Sequence, residues 1–220
     1  MRTMMKIFWT KESATLAALL VAACGVMTVA IGRVQALRSA ASDSKLSIPT
    51  PVAVGADFAI GAHPDWQGDP ASPYTLVEFM DYQCPPCRQT HSRLPAILES
   101  YKGKVRFTVR QYPLAMHVHA MPAALAAEAA RAQGKFGAMN EALMTATDLS
   151  DAGIAKCAAS VGLDAARLRV DQNAAKAAVR DDVAAGNRMG IEGTPTFYLC
   201  GPSGEVLHLS SPGQLPDFVR

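Results

Sequence analysis

The chain has few aromatic residues, few cysteines and no marked excess of either charge. Of 220 residues, 6% are aromatic, and 21 Lys and Arg stand against 19 Asp and Glu, a formal net charge of +2. This balance does not supply the basic surface that nucleic-acid binding requires, so we expect no nucleic-acid partner. Five cysteines are too few for a fold of this size held together by disulfides. They are Cys24, Cys84, Cys87, Cys157 and Cys200.

The amino-terminal residues 1–36 have the pattern of an export signal. The stretch 13–32 contains no charged residue, and three basic residues precede it. Its twenty residues would rise about 30 Å as a helix, the thickness of a bilayer core, so it is long enough to remain as a membrane anchor. Residues 34–36 suit a signal peptidase, which would instead release a soluble chain beginning at Leu37. We therefore predict either a signal peptide or a signal anchor for residues 1–36.

Cys24 adds a third alternative within this segment. Residues 21–24 resemble the lipobox of bacterial lipoproteins, in which the cysteine carries lipid. The apolar run continues beyond Cys24, however, and this favours a small apolar residue in a helix. All three alternatives predict a periplasmic or extracytoplasmic protein, either soluble or attached to the inner membrane, in a compartment where disulfides persist.

The exported part begins with a spacer and continues with strand and helix patterns. Residues 37–72 are rich in Ser, Pro, Gly and Asp and form the spacer, with a candidate edge strand at the β-branched island Val52–Ile60. The apolar run Tyr74–Met80 predicts a buried strand, and a helix begins near Pro85, where a proline is tolerated. Lys104–Gln111 alternates apolar and charged residues, which predicts a second strand.

The rest of the chain is helical at first and then forms strands. Ala120–Arg188 is rich in alanine and predicts helices, and Thr196–Cys200 and Glu205–Leu209 predict a hairpin. Only eleven residues follow the hairpin, so we expect a short closing helix or none. The predicted helix breaks are Gly134, Gly137, Gly153 and Gly162. The predicted helix caps are Ser150 or Asp151, and Asp164.

Two cysteines stand where the first strand gives way to the helix. Cys84 and Cys87 enclose Pro85 and Pro86, and this position makes the motif more specific than an isolated Cys-X-X-Cys. The amino terminus of a helix stabilises a thiolate through its dipole and its free N–H groups. Cys84, the more exposed member, is expected to attack or be attacked, while Cys87 resolves the mixed disulfide.

Three segments resemble the DsbA-like family of exported thioredoxin-fold thiol:disulfide oxidoreductases. They are LVEFMDYQCPPC at 76–87, the YPL of 112–114 with His119 after it, and GIEGTPTFYLCG at 190–201. The resemblance implies a thioredoxin-like α/β fold with a helical insertion between the second and third core strands.

The same resemblance divides the exported chain and assigns further site residues. It implies a thioredoxin-like domain at residues 73–220, with the helical insertion at about 115–189. It also implies that Pro195 is a cis-proline facing the cysteine pair and that Thr194 offers backbone hydrogen bonds to an extended substrate. Glu78 matches a buried acid that moves the proton of the second cysteine; the alternative is an edge-strand residue that faces solvent.

Metal ligands and a second disulfide are weaker alternatives. Cys84, Cys87 and His91 supply three candidate zinc ligands, one short of a structural site. Soft donors that would suit copper are Met116, His117, His119 and Met121. We assign no metal and no cofactor. Cys157 and Cys200 are interpreted as small buried residues, with a disulfide between them as the alternative.

The preferred functional hypothesis is a disulfide oxidase that acts on exported proteins with cysteines. A membrane redox partner would recycle Cys84 and Cys87. The alternatives are a reductase of the same fold, an isomerase, which lacks room for a dimerisation domain before residue 73, and a copper metallochaperone that uses His117 and His119. Pro85 and Pro86 differ from the Pro-His pair of the strongest oxidants, so we expect a lower reduction potential than theirs.

Overall fold

The computed structural model describes residues 50–62 and 64–219. The described residues all belong to one compact unit, Ile48–Arg220. The predictions made for residues 13–32 and for Cys24 therefore lie outside the described residues. No helix within the described ranges is both long and apolar enough to span a bilayer.

A mixed five-stranded sheet forms the centre of the unit. The strands are β1 (Thr50–Pro51), β2 (Tyr74–Met80), β3 (Val105–Gln111), β4 (Thr196–Cys200) and β5 (Val206–Leu209). Their order in the sheet is β1-β5-β4-β2-β3, and β2 pairs parallel with β3 and antiparallel with β4. Because β2 lies inside the sheet with side chains covered on both faces, all of its residues after Tyr74 are buried.

Six α-helices and a short closing 3-10 helix complete the described part. The helices are α1 (Ala56–Ile60), α2 (Pro85–Ser100), α3 (Ala120–Arg131), α4 (Phe136–Thr145), α5 (Asp151–Ser160) and α6 (Ala165–Arg188). The 3-10 helix is Pro212–Asp217. Helices α3 to α6 stand between β3 and β4, the second and third core strands. The expected thioredoxin-like α/β fold with a helical insertion is therefore confirmed.

Three details differ from the sequence predictions. The edge strand takes only Thr50–Pro51, and the island Val52–Ile60 instead contains α1. Gly137 and Gly153 do not break helices but lie in the first turns of α4 and α5. A Cβ atom on Gly153 would come within 2.2 Å of the Asp148 carbonyl oxygen, so the close approach of that loop requires glycine.

The two faces of the sheet carry separate hydrophobic clusters. Alternate side chains of β2 point to opposite faces. Leu76 and Met80 therefore join the larger cluster, with the helical insertion, while Val77 and Phe79 join the smaller one. Glu78 stands between Leu76 and Met80 and so faces the larger cluster.

Buried polar contacts attach the helical insertion to the sheet. Tyr82, just after β2, donates its hydroxyl hydrogen to Asn140 Oδ1 of α4 at 2.9 Å. The guanidinium of Arg110 on β3 lies 2.7 Å from Asp182 Oδ1 of α6. The Gln111 N–H donates to the other carboxylate oxygen of Asp182 at 2.9 Å. The insertion is thus fixed beside the carboxyl ends of β2 and β3, where the cysteine pair lies.

Candidate active site

Cys84 is the N-cap residue of α2 and faces a second loop across the site. Its N–H donates to the backbone oxygen and to Oδ1 of Asp81, both at 3.2 Å. Its thiol donates to the backbone oxygen of Thr194 at 3.2 Å. Cys84 is 4% exposed and Cys87 0%, and both are free thiols, so Cys84 is the more accessible member of a reduced pair.

The two prolines remove hydrogen-bond donors from the start of α2. Pro85 and Pro86 occupy the first two helical positions, where ordinary residues would present N–H groups near the Cys84 sulfur. Cys87 is therefore the first residue of the helix with an N–H. In addition, the Thr194 carbonyl accepts a hydrogen bond that only the protonated thiol can donate. Both features oppose the stabilisation of the Cys84 thiolate by the helix dipole.

Cys87 lies behind Cys84 in an apolar environment. Burial raises the pKa of the Cys87 thiol, and the negative charge of Glu78 raises it further, while the Asp81 backbone and the Thr194 side chain oppose the rise. The Cys87 thiol is consequently protonated at neutral pH. For Cys87 to act as a nucleophile, a nearby group must take its proton.

Glu78 is an ionisable side chain close enough to the Cys87 thiol to raise its pKa. It is 2% exposed on the central strand β2, and its Oε1 has no hydrogen-bond partner among the described residues. Burial raises the pKa of Glu78 from 4.5 to about 8. The alternative of a solvent-facing residue is therefore wrong. An acid that titrates near neutral pH and interacts with the Cys87 thiol can both accept and return its proton.

The loop opposite the cysteines contains the expected proline. The Thr194–Pro195 peptide bond is cis, and β4 begins at the next residue. The hydroxyl of Thr196 donates to the Gly193 carbonyl at 2.7 Å, which holds the loop against the strand. A cavity of about 460 Å³ runs along this loop, and it is lined by residues 189–196 together with Val52, Tyr198 and His208.

Asp81 is a residue of the site that sequence reasoning missed. Its carboxylate is buried and accepts the N–H of Gln83 at 2.7 Å as well as that of Cys84. In the sequence, Asp81 is simply the residue that follows the predicted strand Tyr74–Met80. The available signal was its spacing, because an aspartate two or three residues before a helix start commonly accepts the N–H groups that follow it.

The candidate metal ligands are not brought together. His91 pairs with Glu141 at 2.7 Å, and His117 Nδ1 lies 2.8 Å from Asp81 Oδ2. Met116 is exposed to solvent. Across residues 50–62 and 64–219, no three or more His, Cys, Asp and Glu side chains form a group that could hold a metal ion.

Cys157 and Cys200 are free, buried thiols on different faces of the sheet. The Cys157 thiol donates to the Ala142 carbonyl at 3.6 Å, and burial raises the pKa of Cys200 to about 12. A disulfide between these two cysteines is therefore absent, and both act as small core residues.

Comparison with known proteins supports the same fold. A family model described as Thioredoxin matches residues 62–206. The structure of a thioredoxin-like oxidoreductase from Silicibacter pomeroyi DSS-3 has 30% sequence identity and a TM-score of 0.65, and the match covers 74% of this chain and 95% of that one. The thiol-disulfide exchange protein alpha-DsbA2 from Wolbachia pipientis is 18% identical, with a TM-score of 0.62 over 73% of this chain and 88% of that one. At this identity the second likeness shows the fold alone.

Curated relatives that match this chain are much longer proteins. The Na(+)/H(+) antiporter NhaA 3 of Salinispora tropica is 35% identical over 153 residues, which are 66% of this chain and 23% of the antiporter. An antiporter NhaA 1 of Mycobacterium sp. (strain KMS) is 33% identical over 61% of this chain and 23% of its own length. The chain thus spans about a quarter of the length of these relatives.

A mixed sheet, a Cys-X-X-Cys pair at the start of its first long helix and a cis-proline loop facing that pair are the features of a thioredoxin fold with a dithiol site. The chain belongs to the thioredoxin family, and its fold is that of the thioredoxin-like oxidoreductase and of alpha-DsbA2.

Glu78→Gln should change how stability depends on pH. In the unfolded chain Glu78 ionises near pH 4.5, whereas in the folded chain it holds its proton to about pH 8. The folded state binds more protons between these values, so wild-type stability falls as the pH rises through this window. Glu78→Gln has no such group and does not show this loss. The difference in free energy of unfolding, variant minus wild type, should therefore be higher at pH 8 than at pH 5 by roughly 1–3 kcal/mol.

Urea denaturation of the reduced proteins at both pH values measures this difference. Glu99→Gln is the control, because Glu99 is an exposed carboxyl on α2, and it should show no such trend. If the free energies of unfolding of Glu78→Gln and wild type differed by the same amount at pH 5 and at pH 8, a buried acid at position 78 would be contradicted.

Proposed function

We propose that the protein exchanges disulfides with exported protein substrates through Cys84 and Cys87. One observation carries this proposal: the more accessible thiol, Cys84, stands at a helix N-terminus opposite the cis-proline loop, with the buried thiol of Cys87 and the acid Glu78 behind it. An accessible sulfur, a buried sulfur and an acid beside the buried one are the groups that thiol–disulfide exchange uses.

Oxidation of a substrate would start from a Cys84–Cys87 disulfide. A substrate thiolate attacks the sulfur of Cys84, the Cys84–Cys87 bond breaks, and the Cys87 sulfur leaves as a thiolate. Because burial makes that thiolate costly, protonated Glu78 donates its proton to it. A second substrate thiolate then attacks the substrate sulfur that is bound to Cys84 and releases the Cys84 thiolate. Two electrons thus pass from the substrate dithiol to the cysteine pair.

The reverse reaction uses the same groups in the opposite order. The Cys84 thiolate attacks a substrate disulfide and forms a mixed disulfide, with one substrate thiolate as the leaving group. Glu78 accepts the Cys87 proton, and the resulting thiolate attacks the Cys84 sulfur to release the second substrate thiol. The direction in the cell therefore depends on the reduction potential of the pair rather than on a different set of residues.

The substrate would lie as an extended segment beside Thr194 and Pro195. The peptide group of Thr194 is within hydrogen-bond distance of the Cys84 sulfur, so a chain attached to that sulfur passes this backbone. The adjoining cavity along residues 189–196 offers room for side chains near the substrate cysteine. Recognition through backbone groups and an open cavity suits many protein substrates better than a single small molecule.

We further propose that residues 1–36 direct the folded unit out of the cytoplasm, as a signal peptide or an anchor. The spacer would be residues 37–49 rather than 37–72, because β1 and α1 belong to the sheet and its core. In that compartment a membrane redox partner would reoxidise the pair, and the protein would act as an oxidase. The reductase is the second candidate, because the prolines and the Thr194 carbonyl disfavour the Cys84 thiolate and thereby lower the oxidising power of the pair.

Exchange by the full chain on a peptide with one disulfide tests the function. Wild type should catalyse multiple turnovers in a glutathione buffer, while Cys84→Ser and Cys87→Ser should lose at least about 99% of the rate, because a complete turnover needs both sulfurs. Cys157→Ser is the matched control, a buried thiol in the helical insertion, and it should retain the wild-type rate. Turnover that survives Cys84→Ser would refute the proposal.

Equilibration with glutathione tests the direction. The reduction potential should be more negative than that of DsbA, about −120 mV, because the residues between the two cysteines supply neither an N–H group nor a histidine. Pro86→His supplies an N–H group and a histidine between the cysteines. It should raise the reduction potential by roughly 30 mV or more, which corresponds to a tenfold change in the equilibrium constant with glutathione. Pro86→Ala, the control, restores only the N–H and should give a smaller rise. A wild-type value as oxidising as that of DsbA would contradict this account.

A further inference from the structure

The carboxylate of Asp81 connects two loops at the cysteine pair. One oxygen, Oδ1, accepts the N–H groups of Gln83 at 2.7 Å and Cys84 at 3.2 Å. The other oxygen, Oδ2, accepts the N–H of Leu114 at 2.8 Å and lies 2.8 Å from Nδ1 of His117. A single buried side chain thus holds both the loop that ends at Cys84 and the loop that follows β3.

His117 is the only ionisable partner among these four contacts. An ionised carboxylate can only accept hydrogen bonds, so His117 Nδ1 carries the hydrogen in this pair. The donated N–H offsets part of the Asp81 charge, and a protonated imidazole would offset all of it. Since Oδ1 of the same carboxylate contacts the Cys84 backbone, any charge left on Asp81 acts on the Cys84 sulfur at short range.

Other charged groups near the pair are engaged elsewhere. Arg88 donates to the Tyr82 carbonyl at 3.1 Å. His119 donates its N–H to Gln83 Oε1 at 2.8 Å and interacts electrostatically with Asp148. Glu78 interacts with Cys87, and Glu192 and His208 line the cavity along the cis-proline loop. Within the described ranges, His117 is therefore the side chain that compensates the charge of Asp81 by direct contact.

We propose that Asp81 and His117 form a positioning pair for the reaction at Cys84. This inference rests on the proposed thiol–disulfide exchange. Asp81 fixes the backbone of Cys84 at the start of α2, and His117 offsets the carboxylate charge that would otherwise disfavour the Cys84 thiolate. Neither side chain reacts with the substrate, and both act through the geometry and the electrostatic field at the Cys84 sulfur.

Alkylation of Cys84 by iodoacetamide across a range of pH tests the pair, with peptide mapping to assign the label. His117→Ala leaves the Asp81 charge uncompensated, so the midpoint of Cys84 thiolate formation should move to higher pH by roughly half a unit. At a pH below the midpoint, the rate of alkylation should therefore fall about threefold. Asp81→Asn removes the charge, so its midpoint should move to lower pH. His117→Asn, which retains a donor close to the Nδ1 position, should stay near wild type.

A double-mutant cycle and a matched control separate this role from a structural one. In the Asp81→Asn background, His117→Ala should cause no further shift, because the charge it compensates is gone. His91→Ala is the control: His91 also pairs with a carboxylate and its side chain is 18% exposed, as is that of His117, but its partner is Glu141 on α4. It should leave the Cys84 midpoint unchanged.

Two results would overturn the proposal. The first is a His117→Ala midpoint equal to that of His91→Ala. The second is a shift in the same direction for His117→Ala and Asp81→Asn, as a general loosening of the loop would produce. Alkylation needs no protein substrate, so its outcome is independent of the turnover experiment. A failure of the positioning pair can therefore be told apart from a failure of the exchange function.

Discussion

The site depends on two ionisable groups that share one apolar environment, the carboxyl of Glu78 and the thiol of Cys87. Burial raises the pKa of both, and the negative charge of Glu78 raises that of the Cys87 thiol further. They therefore hold at least one proton between them at neutral pH. Burial of an acid whose Oε1 has no hydrogen-bond partner among the described residues costs stability, and the proposed proton exchange with Cys87 gives Glu78 a role in the central strand that offsets this cost.

The fold places the accessible sulfur where this buried proton can be used. Strand β2 ends directly before the cysteine loop, α2 begins at Cys84, and β4 begins after the cis-proline loop. Three chain segments thus meet at the carboxyl end of the central strand. Asp81 joins the first of them to the loop after β3, so the helical insertion and the nucleophile share a common anchor.

Much of this could be predicted from the sequence because the signals are local. The strand patterns, the hairpin, the position of the cysteine pair and the caps at Ser150 and Asp164 all follow from neighbouring residues. Gly153 was misread because its role is to admit the Asp148 carbonyl, a tertiary contact. Asp81 was missed since its partners Leu114 and His117 are more than thirty residues away.

The lifetime of the mixed disulfide at Cys84 tests the central claim most directly. A cysteine-containing peptide is mixed with the oxidised protein, free thiols are quenched with acid, and the covalent complex is mapped by mass spectrometry. If Glu78 supplies and removes the Cys87 proton, the complex should form at Cys84. Release of the peptide by attack of the Cys87 thiolate on the Cys84 sulfur should be at least tenfold slower in Glu78→Gln than in wild type, because the variant lacks the acid–base group. A complex at Cys87, or equal lifetimes in the two proteins, would contradict the account.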